Sequence, residues 1–164
     1  MTDPQLTTRA QARPAWRRED GAAMVEFALV LPVVLLLLIG MMEFGRGINY
    51  WLDSSHLANV AARWAVVDHN PGPGDTLQES IRMQADTPEL RDGGTTSVPA
   101  GAQVCIDFPD DSADVGDPVE VTVSVDYNWM PLIGEAVGAG TTTLTGSATM
   151  RLEQVPSEYE EGCS

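Results

Sequence analysis

Between Phe27 and Met42 the chain carries no charged residue, and a single glutamate, Glu26, stands at the mouth of that run. A helix placed in lipid satisfies its backbone hydrogen bonds within one segment, which an isolated strand cannot do. Ala22 to Met42 is 21 residues, about 31 Å of α-helix, matching a hydrocarbon layer of roughly 30 Å. The sequence therefore predicts one membrane crossing. A carboxylate at its edge costs on the order of 3 kcal/mol even on the milder insertion scales, so Glu26 calls for a compensating partner. Cleavage after Gly21 would supply one: Ala22 would gain an α-amino group, mostly protonated at neutral pH with a reference pKa of about 7.7 to 8.0. Four residues of helix rise about 6 Å, so that ammonium can meet its own Glu26 or the Glu26 of a neighbouring copy.

Charge orients the span. Arg9, Arg13, Arg17 and Arg18 precede it and no lysine occurs, so the positive-inside rule predicts a cytoplasmic amino terminus and an extracytoplasmic carboxyl terminus. Trp16 on one side and Tyr50-Trp51 on the other fall where interfacial aromatics sit. Arg46 can snorkel or pair with Glu43, three residues earlier. Without residues 1–21 the chain keeps five arginines against 21 acidic residues, a net charge of −16. So acidic a surface argues against nucleic acid as a partner and against adhesion to anionic lipid through the outer domain, and it repels its own copies, which leaves the apolar helix to drive any assembly. A cleaved secretory signal fits poorly, because the apolar run passes into Met41-Met42-Glu43-Phe44 rather than an A-x-A site.

The stretch Arg17-Arg18-Glu19-Asp20-Gly21-Ala22-Ala23-Met24-Val25-Glu26-Phe27-Ala28-Leu29-Val30-Leu31-Pro32 resembles the amino terminus of TadE-like proteins, pseudopilins of the tight-adherence (Tad/Flp) pilus system. The resemblance continues through Glu43-Phe44-Gly45-Arg46 and Ala61-Ala62-Arg63-Trp64-Ala65, and resumes weakly at Ala148-Thr149-Met150-Arg151-Leu152-Glu153. It implies a prepilin-type processing site at Gly21, Ala22, Glu26 and Phe27, with Ala22 as first mature residue. It also implies prepilin peptidase, other pilins or pseudopilins, and the Tad assembly platform as partners at the membrane. Pro32 belongs to the resemblance through Leu31-Pro32; its ring removes the hydrogen bond to the Ala28 carbonyl and predicts a kink. A plain signal anchor accounts for the same run without any processing.

The expected fold class is α+β: a long N-terminal membrane-spanning helix continuing into a stalk, then a small antiparallel β-rich pilin-like outer domain. Residues 1–21 lack hydrophobic periodicity and read as a disordered cytoplasmic leader. Residues 22–47 form the transmembrane helix and 48–69 its continuation, with Ile48, Trp51, Leu52, Ser55, Ala58, Ala62, Ala65 and Val66 on the apolar face. Arg46, Asn49, Asp53, His56 and Arg63 share the other face. The linker 70–75, Asn70-Pro71-Gly72-Pro73-Gly74-Asp75, stops the helix near 68. The outer domain occupies 76–156. Thr76-Leu77-Gln78-Glu79 is a capping box opening a helix over about 77–85. Strands are expected over Val104–Phe108, over the alternating Val119, Val121, Val123 and Val125, and over Thr141–Glu153 with a bend or bulge near Gly146. An acidic tail, 157–164, follows.

Cys105 and Cys163 both lie beyond the span, where oxidation is permitted. An intramolecular bond would close a loop of about 59 residues, worth on the order of 4 kcal/mol in the chain-entropy model. A mobile thiol or an intermolecular bridge at Cys163 fits the sequence as well. Asp107, Asp110, Asp111, Asp114 and Asp117 invite a calcium reading, but the EF-hand spacing is absent and a solvated acidic loop accounts for them better. His56 and His69 accompany no nucleophile motif, and no P-loop, dinucleotide fingerprint or H-E-x-x-H is present. The sequence thus predicts no catalytic residue, no metal and no cofactor. Trp129-Met130-Pro131-Leu132-Ile133 reads either as a buried connection or as an exposed tip. The sequence points to a non-enzymatic pseudopilin in pilus assembly; the rival is a bitopic, membrane-tethered binding or sensing module with an acidic extracytoplasmic domain.

Overall fold

The computed structural model describes residues 16–138 and 140–164, so most of the expected leader lies outside the described residues. The chain divides into two compact units, Met1–Ile39 and Gly40–Ser164. Helix α1, Trp16–Val66, is built from alanine, leucine and methionine with few breakers and is continuous across Pro32. In the first unit its side chains from Gly21 to Leu38 are all exposed. An 18-residue window of mean hydropathy 2.7 has none of its residues buried, and α1 is the one described helix long and apolar enough to cross a membrane.

In the second unit α1 meets a four-stranded antiparallel sheet of order β3-β2-β1-β4. The strands are β1 (Gln103–Asp107), β2 (Pro118–Asn128), β3 (Thr141–Arg151) and β4 (Gly162–Cys163). Strict alternation on β2 buries Val119, Val121, Val123, Val125 and Tyr127 while their neighbours stay outside. They share one core with Leu57, Ala58, Ala61, Ala62 and Ala65 of α1 and with Leu77, Ile81, Leu90, Val104, Ile106 and Tyr159. Each fully buried valine or leucine is worth about 1.5 to 3 kcal/mol, so this seam carries most of the unit's hydrophobic stabilisation.

The α+β class matches the sequence expectation; the expected helix face does so in its second half, Ala58, Ala62, Ala65 and Val66, and not in its first. The buried stripe of α1 is Glu43, Gly47, Tyr50, Asp53, Ser54, Leu57, Ala58, Ala61, Ala62, Ala65 and Val66. Ile48, Trp51 and Leu52 remain 41%, 48% and 55% exposed, whereas Asp53 is only 8% exposed. Burial here goes to small side chains that permit close approach and to Glu43 and Asp53, which find donors, over the larger apolar ones; the Ser54 hydroxyl is buried without a partner. Asp53 is satisfied by Thr87, whose backbone N–H and hydroxyl donate to Oδ2 at 3.0 and 2.7 Å. This ties down the start of α3 (Pro88–Asp92), a helix absent from the sequence expectation.

Gly146 is the second correction. The β2–β3 register runs unbroken from Pro118↔Arg151 to Asn128↔Thr141, with Val123 opposite Gly146, so no bulge occurs there. A Cβ on Gly146 would lie 2.5 Å from the Cα of Ser55. The glycine lets an inward-facing position of β3 pass directly over α1. The capping box is present: Thr76 Oγ1 accepts from the Glu79 N–H, and Glu79 Oε2 accepts from the Asp75 N–H, both at 3.2 Å, opening α2 (Leu77–Met83). Helix α1 ends two residues earlier than expected, with Asp68 at φ 49°.

The C-terminal residues form a strap. Asp68 accepts from the Ser157 and Glu158 N–H groups, each at 2.9 Å, and from the Ser157 hydroxyl at 2.6 Å. Partial burial opposes ionisation, yet these three donors outweigh it and hold the Asp68 carboxyl below its ordinary value. Tyr159 is buried and donates to the Ala65 carbonyl at 2.8 Å. Beyond it, Cys163 pairs with Cys105 across β1 and β4, and the two are joined by a disulfide.

Gly146→Ala should cost about 1 to 3 kcal/mol by overpacking, read from denaturant unfolding of the full chain in detergent micelles; an unchanged midpoint would show that β3 and α1 can part freely. Cys163→Ser should lower stability by up to about 4 kcal/mol on the chain-entropy model, whereas a loss below about 1 kcal/mol would show that the strap's hydrogen bonds hold the loop closed unaided.

Candidate functional site

Two carboxylates on α1 stand in opposite environments, one in each unit. Glu26 is exposed on a helix whose neighbouring side chains, Met24, Val25, Phe27 and Leu29, are exposed as well. Ala22 lies one turn before it and Gly21 just ahead, both exposed. A Cβ at Gly21 would meet nothing within 4 Å, and the same holds at Gly40 and Gly45. The fold therefore accepts a side chain at Gly21. Ala22 and Glu26 share a helix face at i, i+4, the spacing a pair needs.

Glu43 is the counterpart in the second unit. It is 1% exposed although it directly follows the apolar run. Its Oε1 accepts from the Tyr127 hydroxyl at 2.8 Å and from the Met130 N–H at 3.2 Å, and its Oε2 lies 3.6 Å from Arg46 Nη1. A buried carboxylate without such donors would be strongly destabilising. Tyr127 in turn packs between Tyr50, ring centroids 5.6 Å apart, and Trp129, edge-on at 5.1 Å. Trp129 Nε1 donates to Thr142 Oγ1 at 2.8 Å, fastening the end of β2 to the start of β3. Burial, followed by the hydrogen bond to Glu43, raises the Tyr127 phenol well above its ordinary value. Burial does the same for Tyr159.

The remaining sequence candidates separate from these two places. Trp129 is half-buried against the core while Met130 is exposed and leads into α4 (Pro131–Val137), so the apolar segment is part connection and part tip. Of the aspartates, Asp117 is engaged locally, accepting from the Ser112 hydroxyl and the Asp114 N–H. No group of three or more His, Cys, Asp or Glu side chains able to hold a metal ion occurs among the described residues. His56 and His69 are exposed and lie apart from any nucleophile motif. A shallow cleft of about 400 Å³ lies between α2 and the strap, lined by Asp75, Gln78, Glu158, Glu160 and Glu161 among others.

Tyr127 is the residue the motifs do not single out. Two signals locate it: it continues the inward parity of β2, and a buried phenol requires an acceptor. Tyr127→Phe should cost about 1 to 3 kcal/mol by leaving Glu43 short of a donor. Because the folded-state pKa values of Tyr127 and Tyr159 are raised, their contribution is complete below about pH 10, the unfolded phenol value, and falls as pH rises beyond it. Unfolding free energy measured between neutral and strongly alkaline pH should therefore drop above that point, and Tyr127→Phe with Tyr159→Phe should flatten the drop. A profile unchanged in the double variant would contradict this assignment.

Neither the curated proteins nor the solved structures yield a match to the chain. The positions that carry both carboxylates, residues 21–63, match the family model of the TadE-like proteins.

Proposed function

We propose that the chain is a non-enzymatic pseudopilin that takes part in assembling a Tad/Flp-type pilus. The observation that carries this reading is the family match over residues 21–63, falling on a helix whose apolar side chains are unburied by its own fold and which bears Glu26 one turn after Ala22. A helix of this kind needs either lipid or other helices around it. In this reading the amino terminus is cytoplasmic and Gly40–Ser164 extracytoplasmic, because the arginines cluster ahead of the span. Prepilin peptidase cleaves after Gly21 at the motif Gly21, Ala22, Glu26, Phe27. The new Ala22 ammonium then neutralises a Glu26 carboxylate, on the same helix or on a neighbouring pilin or pseudopilin, at the Tad assembly platform. Pro32 supplies a point at which the helix can bend as it leaves the bilayer, since it lacks one backbone hydrogen bond. The extracytoplasmic unit serves contacts between subunits, with the Cys105–Cys163 bond securing its sheet.

The reading is tested on the two motif positions. Gly21→Trp meets no packed neighbour, so retention of residues 1–21 in this variant would report on the peptidase and not on misfolding. Glu26→Val makes the helix more apolar and should insert at least as well, yet lose piliation, because breaking a poorly solvated ion pair costs on the order of 3 to 5 kcal/mol. Normal piliation by Glu26→Val, with wild-type protein that keeps residues 1–21 in cells holding an active prepilin peptidase, would leave only a membrane anchor.

A further inference from the structure

The face of α1 that the sheet leaves uncovered is apolar where a water-facing stalk ought to be polar. Phe44, Ile48, Trp51 and Leu52, at i, i+4, i+7 and i+8, are all exposed. They are followed on the same side by a groove of about 170 Å³ that Phe44, Gly47, Ile48, Trp51, Trp129 and Leu144 line. Met41 and Met42, 69% and 65% exposed, continue the stripe back to the end of the apolar run. In a unit this acidic, such a surface has to be matched to something other than water.

Distance along the helix identifies the match. At 1.5 Å per residue, Phe44 stands about 3 Å and Gly47 about 8 Å beyond Met42, while Ile48 and Trp51 stand about 9 and 14 Å beyond it. A headgroup layer is roughly 5 to 8 Å deep on each side of the hydrocarbon. The bond from the Met130 N–H to Glu43 at 3.2 Å brings the start of α4 to the same level. Exposed Met130 and Pro131 thus lie beside the helix at the hydrocarbon boundary. Glu43, the one carboxylate between Met42 and Asp53, is withdrawn from this surface by Tyr127, Met130 and Arg46. Arg46 is 55% exposed and holds Glu43 through a contact of 3.6 Å, so it keeps donors free for lipid phosphate. A second copy fits this surface worse, since it would bring a second strongly acidic unit against the first.

We propose that the outer leaflet of the bilayer itself covers the near end of this groove, so that the second unit is seated on the membrane through Phe44, Trp129 and Met130. The unit does not stand clear on a stalk. This rests on the reading of α1 as a membrane span. Tryptophan at headgroup depth is the favoured arrangement for such a surface, and a half-buried Trp129 with its Nε1 already bonded to Thr142 has no polar atom left unpaired in that layer.

The test uses the full-length chain in phosphatidylcholine vesicles that carry a nitroxide on the headgroup or high on the acyl chain. With Trp16, Trp51 and Trp64 changed to Phe, Trp129 emission should be quenched at least about twofold, as an interfacial tryptophan is. A chain keeping only Trp64, about 33 Å beyond Met42 along the helix, should retain its emission. A third chain, with all four tryptophans replaced and Leu36→Trp added, marks the span. Quenching of Leu36→Trp without quenching of Trp129 overturns the seating and leaves the span intact; escape of both overturns the two together. Equal quenching of Trp64 and Trp129 also overturns the seating, because contact with lipid would then not be local. Shielding of Trp129 from lipid nitroxide and from aqueous acrylamide alike would assign the groove to a second copy or another protein. Met130→Cys carrying a spin label, in the chain with native tryptophans, reads the same depth and keeps the proposal testable if the replacements unfold the unit.

Discussion

The unit Gly40–Ser164 depends on one seam, where the alanine-rich face of α1 enters the same core as the inward valines of β2. The sheet presents a single apolar face, and a small sheet without a cover over such a face is marginal in water. Ala58, Ala61, Ala62 and Ala65 are fully buried, and Gly146 removes the last side chain that would hold β3 away from the helix backbone. One helix thereby has two solvents. Its first part exposes large aliphatic residues, which suits lipid, and its last part buries small ones against its own sheet.

Buried carboxylates locate the helix on this seam more exactly than alanines can. Alanine against valine is nearly indifferent to a shift of one turn, whereas Glu43, Asp53 and Asp68 each require particular donors: Tyr127 and Met130, Thr87, and Ser157 with Glu158. They are spaced along the helix and just past its end, and each joins it to a different later segment. A register slip would strand the buried Glu43 and Asp53, at a cost of about 1 to 3 kcal/mol or more for each, whereas the partly buried Asp68 would fall back on water.

Much of this was legible before any coordinates, and the limits have physical causes. Alternation on Val119 to Val125 located β2, and the Thr76–Glu79 box located α2, because both are local codes. The buried face of α1 was read correctly at Ala58, Ala62, Ala65 and Val66 and wrongly before them, because hydrophobicity was used as the criterion for burial. Tertiary context favoured Glu43 and Asp53 over Ile48, Trp51 and Leu52, since the former find donors nearly a hundred or some tens of residues away. Gly146 was read as a bulge because a glycine in a strand signals either a bend or a close approach, and only the helix lying over it distinguishes them. Helix α3 was missed although Thr87-Pro88-Glu89 and Gly93 are local start and stop signals, because five residues are too few to show a helical period.

The strap has a consequence for how the unit comes into being. The links that close it span great lengths of chain: 84 residues from Glu43 to Tyr127, 89 from Asp68 to Ser157, and 94 from Ala65 to Tyr159. Structures dominated by such remote contacts form slowly, because loop closure is entropically unfavourable until the contacts are complete. A helix inserted in a bilayer changes the problem. Its first part is already formed, with every backbone bond satisfied internally, so the later segments condense onto a template with one end held fixed. In the proposed reading of α1 as a membrane span, the bilayer thereby acts as the folding nucleus of Gly40–Ser164.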